Sequence, residues 1–181
     1  MDSYKSPHHS RLAEEIELNR DYESDDEALL LSLVRTHQLL EQASALFFSR
    51  FDLTVTQFNA LMIVRDWEGE GIKATELARR IVINRASAGS LVDGLCQRGL
   101  LERRAVPNDR RAYHLRLTRA GRSTLDRVLP DYYAMVNAGF EGFGERRKET
   151  VLRFLGELRG VLDDKIAALT AVEPVERKGS R

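Results

Sequence analysis

One cysteine, Cys96, stands in 181 residues. A disulfide framework within the chain is therefore excluded, and a reducing cytoplasm is the expected compartment. Aromatic residues make up only 7%, which does not favour a surface that stacks unpaired bases. No apolar run approaches the roughly 20 residues of a membrane span. The opening stretch MDSYKSPHHSRLAEEIELN has no apolar core ahead of a small-residue cleavage site, so no secretory signal is expected. There is no glycine-rich phosphate loop, nucleophile elbow, HxxxH or CxxC. His8 and His9 are adjacent, while His37 and His114 lie far apart. No catalytic residue, metal ligand or cofactor site is assigned, and an enzyme is not expected.

Net charge is also missing, but only on average: 28 basic residues offset 28 acidic ones. Between Lys73 and Arg122 there are 12 Lys/Arg and 4 Asp/Glu, a net of +8, whereas the remainder holds 16 and 24, a net of −8. One contiguous third of the chain is thus suited to a polyanion.

Apolar content of 43% is ordinary for a globular chain long enough to build a core. Residues 1–10 read as disordered, SRLAEEIEL as a possible short helix, and NRDYESDDE as an acidic linker. From Asp25, Leu29, Leu30, Leu33, Val34, His37, Leu40, Leu46, Phe47 and Phe51 recur at helical steps. Thr54 and Gln57 have the spacing of a capping box ahead of the stripe Phe58, Leu61, Met62 and Val64. EGEG ends that helix. KATELARRIVI predicts a short helix without a Ser or Thr cap. Asn84 is the expected N-cap of RASAGSLVDGLCQRG, which Gly99 stops.

RRAVPNDRRAYHLRLT, residues 103–118, breaks at Pro107-Asn108-Asp109 and then alternates, with Tyr113, Leu115 and Leu117 on one parity. It predicts two strands with Arg110 and Arg111 at the tip. Thr118 should cap a helix containing Pro130, expected to kink it. Gly139, Gly142 and Gly144 mark a break. A last helix repeats Val151, Leu155, Leu158, Leu162, Ile166 and Leu169, a seam that would be a liability if left exposed. Two short helices, a tight turn and a hairpin make a winged helix-turn-helix: a mainly α fold with a small β-wing (α+β).

LTVTQFNALMIV, TELARRIVINRASAGSLVDGLCQRGLLERRAVPNDRRAYHLRLTRAG and the distal helices, together covering about residues 25–170, resemble the multiple-antibiotic-resistance regulator (MarR) family of bacterial and archaeal winged-helix transcription factors. The resemblance implies an obligate homodimer with interlaced N- and C-terminal helices. It also implies a repressor of adjacent genes, released by a small anionic or phenolic molecule or by an oxidant. On this reading residues 1–24 are an N-terminal extension, 25–52 a dimerisation helix and 53–118 the DNA-binding winged helix. Residues 119–170 are dimerisation helices and 171–181 a polar tail. A two-fold dimer would set two recognition helices about 34 Å apart on double-stranded DNA, so the operator should be an inverted repeat.

The recognition helix would begin at Arg85, with Asn84, Arg85, Ser87, Gly89 and Ser90 on its outer face and Leu91, Val92 and Leu95 turned inward. The family often has an arginine at the position of Ser90, so Arg85 is the first candidate for reading guanine. At the wing tip, Asp109 and Arg111 correspond to the family's paired residues and Arg110 is an added basic contact. A narrow minor groove attracts such an arginine, and Asp109 would fix it. A surface salt bridge of little consequence is the alternative. Arg79, Arg80, Arg103 and Arg104 are expected phosphate contacts.

Candidate liners of an effector pocket are His37, Phe58, Trp67, Tyr132 and Tyr133, each of which also suits ordinary packing. The first long helix reads EALLLSLVR, without the cysteine of peroxide-sensing relatives, and Phe58-Asn59 stand where urate-responsive relatives carry tryptophan and aspartate. Cys96 is either a small packing residue or a thiol whose oxidation disturbs DNA contact. A winged helix used for protein contact is the other alternative function.

Overall fold

The computed structural model describes residues 7–81, 85–106 and 109–171. The chain forms two compact units, Met1–Pro130 and Asp131–Arg181.

In the first unit, α1 (Pro7–Glu15) precedes the long α2 (Asp25–Ser49). The start of α1 at Pro7 corrects the reading of residues 7–10 as disordered; residues 1–6 lie outside the described residues. Proline fits a first helical turn, where its missing N–H would have no helical partner. Ser24 caps α2 by accepting from the Glu27 N–H, and Asp25, Asp26 and Glu27 place negative charge at the positive end of the helix.

The expected capping box opens α3 (Val55–Asp66). The Gln57 N–H donates to Thr54 Oγ1 at 3.1 Å, and the Thr54 N–H donates to Gln57 Oε1 at 3.0 Å. Then come α4 (Ala74–Ile81) and α5 (Arg85–Gln97). After α5 the Gly99 N–H reaches the Cys96 carbonyl at 2.9 Å and the Leu100 N–H reaches Leu95 at 2.9 Å. Asn84, the expected cap of α5, lies outside the described residues.

The hairpin is antiparallel, β1 (Leu101–Val106) against β2 (Asp109–Leu117), with Leu101 opposite Leu117 and Arg103 opposite Leu115. The register slips between Ala105 and Val106, next to the tip. On the other edge of β2, Ile72 and Leu115 exchange backbone hydrogen bonds of 3.2 and 2.8 Å, a one-residue third strand. Gly71 makes this approach possible. Its φ is +81°, and a Cβ there would sit 2.8 Å from His114 Cβ.

The core of this unit is apolar throughout: among the described residues no polar or charged side chain is buried. Phe48 and Phe58 meet at 4.5 Å between ring centroids, and Leu61, Leu77, Leu95, Leu115 and Leu125 are sealed from solvent. Each such leucine contributes about 1.5–3 kcal/mol of burial. The parity read from the hairpin holds, since Leu115 and Leu117 face this core. Thr118 joins the hairpin to α6 (Arg119–Gly139): its hydroxyl donates to the Gly99 carbonyl at 2.6 Å and accepts from the Gly121 N–H at 3.0 Å. Gly121 abuts Leu100 so closely that a Cβ would stand 2.1 Å from its carbonyl oxygen.

Pro130 does not end α6, which runs on to Gly139. The second unit holds the end of α6, a turn with Gly142 at φ +81°, and α7 (Glu145–Ala171). No residue of α7 is buried, although Leu152, Val161, Ile166 and Leu169 lie along it. Among the described residues no helix is long and apolar enough to cross a membrane.

Candidate nucleic-acid interface

Helix α5 has two unlike faces. Ala88, Val92 and Leu95 are buried, while Ser87, Gly89 and Ser90 are exposed. Leu91, expected inside, is half-buried. The apolar residues lock the helix against the core and so leave the small polar residues outward. Arg85 and the wing residues Asp109, Arg110 and Arg111 have their backbones in α5 and β2, but their side chains lie outside the described residues.

The four expected phosphate-contact arginines are exposed, and each has a protein partner. Arg79 grips the Glu76 carboxylate with two hydrogen bonds, Nε to Oε2 at 3.1 Å and Nη2 to Oε1 at 2.7 Å. Arg80 donates its Nε to the same Oε1 at 2.8 Å, with its guanidinium 5.0 Å from the centre of the Trp67 ring. These bonds hold the Glu76 carboxyl down at about 2, chiefly through Arg79. Arg103 pairs with Asp93 of α5 and lies 5.1 Å from the Tyr113 ring centre, bracing the first hairpin strand against α5. Arg104 pairs with Glu102 at 2.7 Å.

Three further ties escaped the sequence reading. Arg116 donates to the Gly69 carbonyl at 2.8 Å, His114 Nδ1 to the Glu70 carbonyl at 2.8 Å, and Arg122 pairs with Glu68. Together they pin the loop after α3 to the wing base. Part of the +8 segment is thus spent inside the protein. Arg98 similarly leaves the end of α5 for the α2–α3 turn, donating to Gln57 Oε1 at 3.1 Å and to Asp52.

The candidate effector residues have dissimilar surroundings. His37 is solvent-facing, 3.6 Å from Glu41. Phe58 is part of the core, and Trp67 lies under Arg80. In the second unit the rings of Tyr132 and Tyr133 meet edge-on at 5.4 Å. None of the five lines the groove of about 880 Å³ that Phe140, Phe143, Val151 and Leu152 enclose at the α6–α7 turn. Cys96 is half-buried, and desolvation pushes its thiol up from the ordinary value despite the neighbouring Arg103 charge. This environment favours the unreactive thiol.

Residues 51–112 match the family model described as MarR family. The chain is 26% identical over 158 residues to the HTH-type transcriptional repressor YetL of Bacillus subtilis, covering 87% of this chain and 95% of that protein. It is 28% identical over 166 residues to the transcriptional repressor MprA of Escherichia coli, covering 90% and 93%. Among solved structures, the transcriptional repressor CouR, bound to a 23-mer DNA duplex, superposes with a TM-score of 0.64. It is 28% identical, with 72% of this chain and 92% of that one covered. The family-model match over residues 51–112, relatives aligned over nearly their whole length, and a shared arrangement of helices around a small hairpin point the same way: the chain is similar to MarR-family transcriptional regulators.

Proposed function

We propose that two copies of the chain form a repressor that binds an inverted-repeat operator in duplex DNA. In this reading α5 enters the major groove, with Asn84, Arg85, Ser87, Gly89 and Ser90 at the bases. The wing, through Asp109, Arg110 and Arg111, reaches the adjacent minor groove. Arg79, Arg80, Arg103 and Arg104 meet phosphates. They position the protein without specifying sequence. The observation that carries the reading is the two-faced α5: its inward apolar residues are locked in the core beside a hairpin, so its outward face is a rigid strip of small polar groups. That the 28%-identical CouR was solved on a DNA duplex supports it.

The dimer is supported by α7 and α2. An exposed stripe of Leu152, Val161, Ile166 and Leu169, and another of Leu30, Leu40 and Leu46, would be costly to leave in water. A second copy offering the same stripes covers both by two-fold symmetry. Release by a small anionic or phenolic molecule follows from the family resemblance.

A gel-shift titration on the DNA upstream of the gene, repeated at several salt concentrations, tests the reading. Tight, sequence-selective binding with a steep salt slope is expected. Equal binding to unrelated duplex would overturn it.

A further inference from the structure

The last turn of α4 carries two adjacent arginines whose side chains leave the helix about 100° apart. Only a residue three and four positions earlier can reach both. Glu76 occupies that place, and its Oε1 accepts from Arg79 Nη2 at 2.7 Å and from Arg80 Nε at 2.8 Å. The second oxygen accepts from Arg79 Nε at 3.1 Å. The ring of Trp67 supports Arg80 from one face. Three formal charges converge on one carboxylate and sum to +1. With Glu76 titrating only near 2, that sum holds across neutral pH.

We propose that Glu76 is a specificity-determining residue: its carboxylate withholds about one positive charge from duplex of arbitrary sequence, and so widens the gap between operator and non-operator binding. The inference rests on the proposed DNA-binding reading of this face. Binding to random duplex depends on how many phosphates the surface neutralises, each adding about 0.9 to the salt slope. A carboxylate among the contact arginines reduces that number and repels the backbone wherever the protein lands. Operator binding depends less on this charge, because base contacts from α5 add to it. Arg79 keeps outward N–H groups, its side chain being 73% exposed, so it still meets a phosphate held at a fixed place.

The test compares wild type with Glu76→Gln, nearly isosteric and uncharged, and with Glu76→Asp, which keeps the charge. The probes are a random-sequence duplex and an inverted-repeat duplex selected in vitro with the wild-type protein. Glu76→Gln is expected to bind random duplex about three- to tenfold more tightly at low salt, with a slope steeper by about one. The operator should gain less, so the preference between the two shrinks, while Glu76→Asp stays near wild type. The sole tryptophan, Trp67, gives an independent reading, since freeing Arg80 changes its emission in the unbound protein. Glu76→Ala, which keeps helix propensity, replaces the glutamine variant if that one fails to fold. Unchanged or weaker random-duplex binding by a folded uncharged variant would overturn the proposal. A selection with wild type that enriches no inverted repeat would instead overturn the reading on which it rests.

Discussion

Arg98 Nη2 donates to both the backbone carbonyl and the carboxylate of Asp52, at 2.6 and 2.8 Å. Asp52 is a non-glycine residue in the left-handed region, at φ 54°, in the turn between α2 and α3. The other guanidinium nitrogen bonds Gln57, a member of the capping box of α3. One side chain just past the end of α5 thus holds a strained turn and braces a helix start.

Removing it should cost stability. Hydrogen bonds to charged groups contribute about 1.5–3 kcal/mol, reduced here because the pair is partly in water. Arg98→Ala is therefore expected to lower the unfolding free energy by about 1 kcal/mol in urea melts. Arg98→Lys should recover only part of the loss, because an ammonium cannot reproduce the fork.

Gly121 makes a sharper prediction. A methyl group placed 2.1 Å from the Leu100 carbonyl oxygen cannot be accommodated without moving the hairpin away from α6. Gly121→Ala should destabilise by about 1–3 kcal/mol even though alanine is the better helix former. A thermal melt at or above that of the wild type would contradict the close approach.

Some of this architecture is legible from neighbouring residues alone. The Thr54–Gln57 box, the Thr118 cap and the Gly99 stop are local devices, each complete within four residues, and all three are found. The triad at Glu76 is equally local, at three- and four-residue spacing, but an arginine pair beside a predicted DNA-binding helix suits phosphate contact as well as an internal ion pair. Asp93–Arg103, Asp52–Arg98 and Glu68–Arg122 are different. Their partners lie ten or more residues apart and meet only once α5, the hairpin and α6 have packed into the unit, so no local pattern announces them. The early start of α1 was missed for a simpler reason: its first residues are polar, and Pro7 was not weighed as a starting residue.

The entry to α2 should respond to acid in a defined direction. Glu27 accepts from Arg20 and from the Glu23 N–H, and these bonds depress its carboxyl to about 2. A depressed carboxyl stabilises the fold fully above the ordinary value near 4.5, and the contribution fades as pH falls toward 2. Carboxyl-carbon NMR should show Glu27 titrating near 2. A midpoint near 4.5 would mean that this cap does not form in solution.

At the wing, Arg111→Ala is expected to weaken operator binding by about 1–3 kcal/mol while leaving the melting temperature unchanged. Fluorescence anisotropy at fixed salt measures the first and a thermal melt the second. Undiminished affinity would remove the wing from the interface.

The central claim is that a paired molecule reads duplex DNA by sequence. Sedimentation of the protein with a selected inverted-repeat duplex, against a scrambled duplex of equal length, tests it most directly. The account predicts a complex heavier than the free duplex by two 20.6 kDa chains on the selected site, and far less on the scrambled one. One chain per duplex, or equal occupancy of both, would contradict it.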